Sequence, residues 1–459
     1  MTTSIQRIGI ALLTTLSVSG RCAELGTRQR TITPIALATN TTPIMASDLS
    51  AYAVHGYSSW QWGPGQDDGQ LLTNMPPGYA GATNAAKLLT FFCISDIHIM
   101  DKETPTQSSM AAYQTFPGFT TNSLPPGDGN SSAYSPVVLR TTQVLDAAVR
   151  TANALHRLMP FDFGMSLGDD CNSSQYNELR WFIDVMDGKY ITPSSGTNAG
   201  ATTIDYQMPF QAAGLNAEIP WHQVLGNHDH FWLGSLVVND YLRQSYTNST
   251  VLLMGDLKTG GGINSRTTFM GTVDGSTPDG NIIGAGPVAD FVVDGVTNTP
   301  TVAPDANRYS LTRSNWMREF TNTASRPVGH GFSQDNITND FACYSFVPKS
   351  DLPLKVIVLD DTMSDWNYDT TAQGGLDTNQ LAWLVQELNL GQTNNQLMVI
   401  AAHIPIELLG LSNTVNSAIS NHELMAVLHE YPNLILWVAG HMHRNNIKAE
   451  PSPDAAHPE

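Results

Sequence analysis

The 459-residue sequence is poor in cysteine, basic residues and long hydrophobic runs, and each shortage excludes a class of protein. Its four cysteines show no paired spacing of the kind that builds a structural zinc site. Only 22 lysines and arginines stand against 41 acidic residues, which gives a net charge of −19. A nucleic-acid duplex or an anionic membrane surface binds to a basic footprint, so we expect neither as the main partner.

Beyond the N-terminus, no stretch is long and apolar enough to cross a bilayer, so we expect no membrane span. The N-terminus has Arg7, an apolar stretch at 8–20 and small residues up to Ala23. This pattern resembles a secretory signal peptide, with a frayed tail as the alternative. We therefore predict a signal peptide at 1–24 and a periplasmic or extracellular location.

The rest of the chain divides into regions of different composition. Residues 25–88 are rich in Thr, Ala, Gly and Pro, and we interpret them as an N-terminal extension. Residues 89–459 form the main domain, in which short apolar runs alternate with helical patterns, as is typical of an α/β layered core. The segment at about 232–340 is too long for a structureless loop, so we predict an inserted lobe with short strands of its own.

Five of the apolar runs lead directly into residues that bind metals. In chain order these are Asp96-Ile97-His98, Gly168-Asp169-Asp170, Gly226-Asn227-His228-Asp229, His403 and Gly440-His441-Met442-His443. Ligands of open α/β sheets bind beyond the carboxyl ends of the strands, so we expect the five clusters to meet at one rim. Carboxylate, imidazole and amide donors without a thiolate suit two divalent ions such as Mn, Fe or Zn.

This order of motifs, DxH, GD, GNHD, H and GHxH, resembles that of the calcineurin-like metallophosphoesterase superfamily, including its secreted phosphatase and phosphodiesterase branches. The resemblance covers about 89–231 and 341–445. It implies a four-layer α/β/β/α sandwich that hydrolyses a phosphomonoester or phosphodiester with a hydroxide activated by two metal ions. The implied partner is a small phosphorylated substrate, with nucleotides among the candidates.

The resemblance also implies a role for each residue of the motifs. The first metal would be held by Asp96, His98 and His443, and the second by Asn227, His403 and His441, with Asp169 bridging the two. His228 would face the substrate phosphate, where it stabilises charge or protonates the leaving oxygen. Phosphoprotein phosphatases carry an Asp at the place of Asn172 to orient this His, so Asp229 and Asn172 are both candidates for that part.

Two further expectations complete this interpretation. The chain ends soon after His443, where the family normally continues with further strands, so we expect either a truncated C-terminus or an unpaired edge of the sandwich. Some relatives have lost ligands and become metal-stabilised binding scaffolds, which is the alternative function. Every ligand position is kept in this chain, which favours the hydrolase.

Overall fold

The computed structural model describes residues 30–34, 60–64, 87–106, 136–232, 234, 236–254, 268–275, 280, 282–363, 374–410, 417–443 and 448. The signal peptide predicted at 1–24 and most of the extension predicted at 25–88 lie outside these residues. Within the described ranges, no helix is long and apolar enough to cross a membrane.

The described residues form a mixed α/β fold. Its strands are β1 Arg30–Pro34, β2 Trp60–Pro64, β3 Phe91–Ile94, β4 Phe163–Ser166, β5 Tyr190–Ile191, β6 Phe210–Gln211, β7 Trp221–Gln223, β8 Phe231–Trp232, β9 Leu236–Val237, β10 Leu253–Met254, β11 Thr268–Val273, β12 Ile282–Pro287, β13 Val292–Val293, β14 Val296–Thr297, β15 Tyr344–Phe346, β16 Leu354–Val358, β17 Leu397–Ala401 and β18 Leu434–Val438. Its helices are α1 Thr141–Leu158, α2 Tyr176–Met186, α3 Asp240–Thr247, α4 Arg313–Glu319, α5 Gln334–Asn339, α6 Thr378–Thr393 and α7 Asn421–Leu428.

Two sheets carry the motifs found in the sequence. The first has the order β3-β4-β7 with all strands parallel. The second has the order β15-β16-β17-β18, in which β15 is antiparallel and the other three are parallel. Strands β4 and β16 are buried along their whole length, as is typical of parallel strands covered on both faces.

Alternate residues of β16 enter two different hydrophobic clusters, because successive side chains of a strand point to opposite faces. Val356 and Val358 pack with side chains of the first sheet and of helices α1 and α2. Ile357 packs on the other side, with Leu384 of α6 and Leu424 of α7. The second sheet is therefore covered by apolar side chains on both faces.

Local sequence signals set the starts of the helices on this outer side. Asp377 and Gln380 form a capping box at the start of α6, and Ser420 and Glu423 form another at α7. Each cap satisfies backbone N–H groups that the first turn leaves without partners. The sequence therefore indicates both helix starts, at Asp377 and at Ser420, and the structure has them there.

The described residues of 231–340 include short strands and helices whose buried side chains belong to three packing groups, one of which holds Val273 together with Met100 and Tyr206. Side chains of α4 and its surroundings, including Trp316 and Phe320, join the cluster shared by the two sheets. A separate small cluster is formed by Trp232, Val238, Leu242, Tyr246, Leu252 and Met270. This small cluster lies beside the strand ends, because it contains Trp232 of β8, the strand that comes after the Gly226–Asp229 motif.

Candidate metal centre

The loops after β3, β4, β7, β17 and β18 meet and are joined to one another by hydrogen bonds. The backbone N–H of Asp96 donates to the Gly168 carbonyl at 3.0 Å. The backbone N–H of His228 donates to Asp169 Oδ1 at 2.8 Å, and that of His441 donates to Asp96 Oδ1 at 2.9 Å. The structure thus brings all five clusters to one rim, although Asp96 and His441 are 345 positions apart.

Three of the expected residues, Asp96, His98 and His443, form one group of donor atoms that lie within 4.8 Å of one another. His443 Nε2 lies 3.3 Å from Asp96 Oδ1 and 3.2 Å from His98 Nε2. Burial and the neighbouring His228 lower the pKa of His98 to about 3, so its ring is neutral and keeps a lone pair. These are the donors assigned to the first metal.

A second group contains Asp169, His403 and His441. The Asn227 side chain joins it, since Asn227 Oδ1 lies 2.8 Å from His403 Nε2 and 3.1 Å from His441 Nδ1. Burial and the nearby His403 lower the pKa of His441 to about 4, which leaves this ring neutral as well. These are the donors assigned to the second metal.

The Asp169 carboxylate lies between the two groups. Its Oδ2 atom is 3.6 Å from His98 Nε2 and 3.2 Å from His403 Nε2. Its Oδ1 atom accepts the backbone N–H of His228, so only Oδ2 faces both groups. Asp169 is thus the one residue of the set placed to serve two ions at once.

The donors fit a pair of divalent cations. Bonds of about 2.1 Å at right angles place neighbouring ligand atoms about 3 Å apart, and the observed separations run from 2.8 to 3.6 Å. His403 Nδ1 lies 2.7 Å from the Leu167 carbonyl, which accepts its proton and turns Nε2 toward two oxygens. Burial opposes a charge on His403, yet Asp169 raises its pKa to about 10, so the ring is protonated without a cation, and a bound cation would take the place of the Nε2 proton.

His228 lies at the edge of both groups, with its ring perpendicular to that of His98 at a centroid distance of 4.5 Å. Its Nδ1 atom lies 2.6 Å from the backbone carbonyl of Asn172. A carbonyl only accepts, so Nδ1 carries a proton and the ring orientation is fixed. The sequence left Asn172 and Asp229 open as the orienting group, and the structure gives this part to the Asn172 backbone.

The Asp229 carboxylate is fully buried and faces backbone N–H groups of two motif loops. Its carboxylate accepts backbone N–H groups of Gly226 at 2.8 Å and of Asp169 and Cys171 at 3.0 Å. Burial and the nearby Asp169 raise its pKa to about 7. These contacts let Asp229 join the second motif loop to the third, and its part in catalysis stays a prediction.

The backbone at the site is held in an uncommon conformation. Among the described residues, ten that are not glycine have positive φ, and five of them are Asp96, His98, Asp169, His441 and His443, at 46–69°. Such conformations cost free energy and persist only where the surroundings fix them, which is common at functional sites. Gly226 is needed for a related reason, because a Cβ there would lie 2.1 Å from the Asp169 nitrogen.

One supporting residue, Asp361, could have been identified from the sequence by its position after an apolar run. Asp361 lies three residues after the end of β16, and its carboxylate accepts the backbone N–H of His403 at 3.2 Å and of Ile404 at 3.0 Å. It therefore fixes the loop that carries His403. His230, two residues beyond His228, lies 2.8 Å from the Thr362 hydroxyl.

No family model matches this chain, and no curated protein matches it. Among solved structures, the chain is similar to the crystal structure of a dimetal phosphatase from Danio rerio, at 14% sequence identity and a TM-score of 0.34. The match covers 78% of this chain and 82% of that one. What this centre can do therefore follows from its own residues.

Proposed function

We propose that this protein is a metal-dependent hydrolase of phosphoric esters, related to the calcineurin-like metallophosphoesterases and to their secreted branch. One observation carries the proposal, namely that Asp169 Oδ2 lies between two complete donor groups. Two divalent ions held in this way supply Lewis acidity at both the attacking and the leaving oxygen of a phosphoryl displacement.

The protein residues around the two ions have distinct tasks in this proposal. Asp96, His98 and His443 hold one ion, Asn227, His403 and His441 hold the other, and Asp169 is shared. His228 faces the substrate phosphate and moves the proton that the leaving oxygen requires. The Asn172 carbonyl supports this task, since it accepts the Nδ1 proton and fixes the orientation of the ring.

The same proposal includes two features of the fold, a four-layer sandwich and an inserted lobe. A four-layer α/β/β/α sandwich is supported by the cluster that both sheets share with α1 and α2, and by the cluster that packs α6 and α7 on the outer face. An inserted lobe is supported by the separate cluster around Trp232 and Tyr246. We assign substrate selection to this part of the chain, because it adjoins the strand ends.

We also propose a small phosphorylated substrate, with nucleotides as the first class to screen, and a location outside the cytoplasm. The net charge of −19 does not argue against an anionic substrate, because bound divalent cations would reverse the local field at the site. The pattern at 1–24 supports secretion.

The test is hydrolysis of p-nitrophenyl phosphate and bis-p-nitrophenyl phosphate with Mn²⁺, for the wild type and Asp169→Asn. We expect Asp169→Asn to lose about 10³-fold in kcat, since several kcal/mol of transition-state stabilisation depend on the two ions. Asp335→Asn is the matched control, because Asp335 is exposed in α5, outside the centre. Its rate should equal the wild-type rate.

The relative rates on the two esters separate a monoesterase from a diesterase. Background rates for wild type and Asp169→Asn alike, with several divalent metals, would overturn the hydrolase. Two tightly bound metals together with background rates would instead indicate the binding scaffold.

A further inference from the structure

We infer that Gly234, in the turn between β8 and β9, is a positioning residue for the second metal, an inference that rests on the proposed function. Its carbonyl oxygen accepts a hydrogen bond from Asn227 Nδ2 at 3.0 Å. Because a carbonyl cannot donate, this contact assigns the two ends of the Asn227 amide. The nitrogen must face Gly234, and the oxygen must therefore face the metal donors.

The orientation matters because only the oxygen of an amide can bind a metal ion. Asn227 Oδ1 lies 2.8 Å from His403 Nε2 and 3.1 Å from His441 Nδ1, among the donors of the second group. A rotated amide would direct N–H groups at the ion. Groups that orient metal ligands contribute about 10–100-fold to metal affinity in other sites.

Gly234 is also placed where no other residue fits. A Cβ at this position would lie 2.1 Å from Asn227 Nδ2, 2.4 Å from His228 Cδ2 and 2.7 Å from His228 Nε2. The backbone has φ = +67°, a conformation that glycine adopts without strain. The hairpin thus covers the amide ligand and the substrate-facing imidazole together, and the missing side chain is what allows this close approach.

The hairpin is held in place from outside the centre. Trp232 of β8 donates from Nε1 to the Thr106 carbonyl at 3.1 Å and packs in the small cluster with Leu242 and Tyr246. The Phe231 N–H donates to the Asn227 carbonyl at 3.0 Å. The metal centre is therefore coupled, through Gly234, to the packing of the segment that follows the GNHD motif.

The test compares Gly234→Ala with Gly295→Ala. Gly295 is the matched control, because it also has positive φ, at +75°, but a Cβ there would meet nothing within 4 Å. Mn²⁺ binding is measured by calorimetry on the metal-free proteins, and thermal unfolding reports the fold. We expect wild type and Gly295→Ala to bind two ions, and Gly234→Ala to bind the second ion about 10–100-fold more weakly.

Kinetics separate a positioning part from a general loss of structure. Gly234→Ala should lower kcat at limiting Mn²⁺ and recover part of it at high Mn²⁺, with a melting temperature close to that of Gly295→Ala. Equal second-site affinities for the two variants would overturn the inference while leaving the hydrolase intact. A wild type without paired ions or hydrolysis would overturn the proposed function itself.

A second variant, Asn227→Asp, tests the contact without altering the glycine. The new carboxylate cannot donate to the Gly234 carbonyl, so two acceptors would face each other and the hairpin should open more often. We expect faster hydrogen exchange in peptides covering 231–237 than in the wild type, and unchanged exchange in β16. Unchanged exchange in the hairpin would contradict the coupling.

Discussion

The two donor groups of the centre differ most in their exposure to solvent. In the first group the His443 side chain is 59% exposed, whereas His403 in the second group is fully buried. The difference follows from strand order, because β17 lies between β16 and β18, while β18 pairs only with β17 among the described strands. One sheet thus offers a rigid buried ligand from its interior and an accessible one from its edge.

The comparison predicts that the second metal is the more firmly held and that the first exchanges with solvent. A buried ligand cannot be replaced by water without opening the core, and the buried polar groups beside it would lose a hydrogen-bonding partner. When an exposed ligand is removed, water can fill its position.

His403→Ala should give the largest loss. We expect about 10³-fold lower kcat, because removal of the second ion forfeits several kcal/mol of transition-state stabilisation. Excess Mn²⁺ should not restore the rate, since Asp169 and Asn227 remain buried without this partner. Steady-state kinetics over a Mn²⁺ titration measure both effects, with the exposed His422→Ala of α7 as the control. Full rescue by Mn²⁺ would contradict the buried, rigid character of the second group.

His443→Ala should be milder and metal-dependent. We expect about 10–100-fold weaker binding of one ion, by analogy with other losses around metal sites. The remaining donors, Asp96, His98 and Asp169, still surround the position, so high Mn²⁺ should recover most of the activity. A loss as deep and as resistant to Mn²⁺ as that of His403→Ala would show that the two groups do not differ.

Asp361→Asn should have the smallest effect on catalysis. Its main effect should be on how the free energy of unfolding depends on pH. Burial raises the pKa of Asp361 from 3.8 to about 7. The folded state then binds a proton that the unfolded state releases between about pH 4 and pH 7, so stability is lost as the pH rises through this window. The contribution is at most about 4 kcal/mol, since each unit of pKa is worth about 1.4 kcal/mol.

Asparagine keeps one acceptor for the backbone of residues 403 and 404 and does not titrate. We therefore expect the free energy of unfolding of the metal-free Asp361→Asn protein to depend less on pH than that of the wild type. Urea unfolding at several pH values, with a chelator present, measures this slope. Identical slopes would show that Asp361 is not protonated in the folded protein.

Much of the candidate site could be predicted because its signals are local. A metal-binding residue that directly follows an apolar run can be recognised in the sequence. The capping boxes at Asp377 and Ser420 each lie within four consecutive residues. The apolar run at 433–439 predicts a strand, which is observed as Leu434–Val438, and the helical pattern at 175–187 predicts a helix, which is observed as Tyr176–Met186.

The supporting contacts could not be predicted, because they join backbone groups to side chains far away in the sequence. Nothing in the local pattern shows that the Asn172 carbonyl faces the His228 ring, or that Asp229 binds three backbone amides. Gly234 looks like any turn glycine until its neighbours are known. Such contacts produce neither a hydrophobic periodicity nor a characteristic residue spacing in the sequence.

The sequence by itself determined which chemistry is available, since residue type fixes the donor atoms and the end of each apolar run fixes where they stand on a parallel sheet. The tertiary structure decided how the donors are shared. It placed Asp169 Oδ2 between two groups, buried His403 while it left His443 exposed, and set an amide oxygen rather than its nitrogen toward the second group. The physical reason is that exposure and hydrogen-bond direction depend on neighbours brought together only by packing.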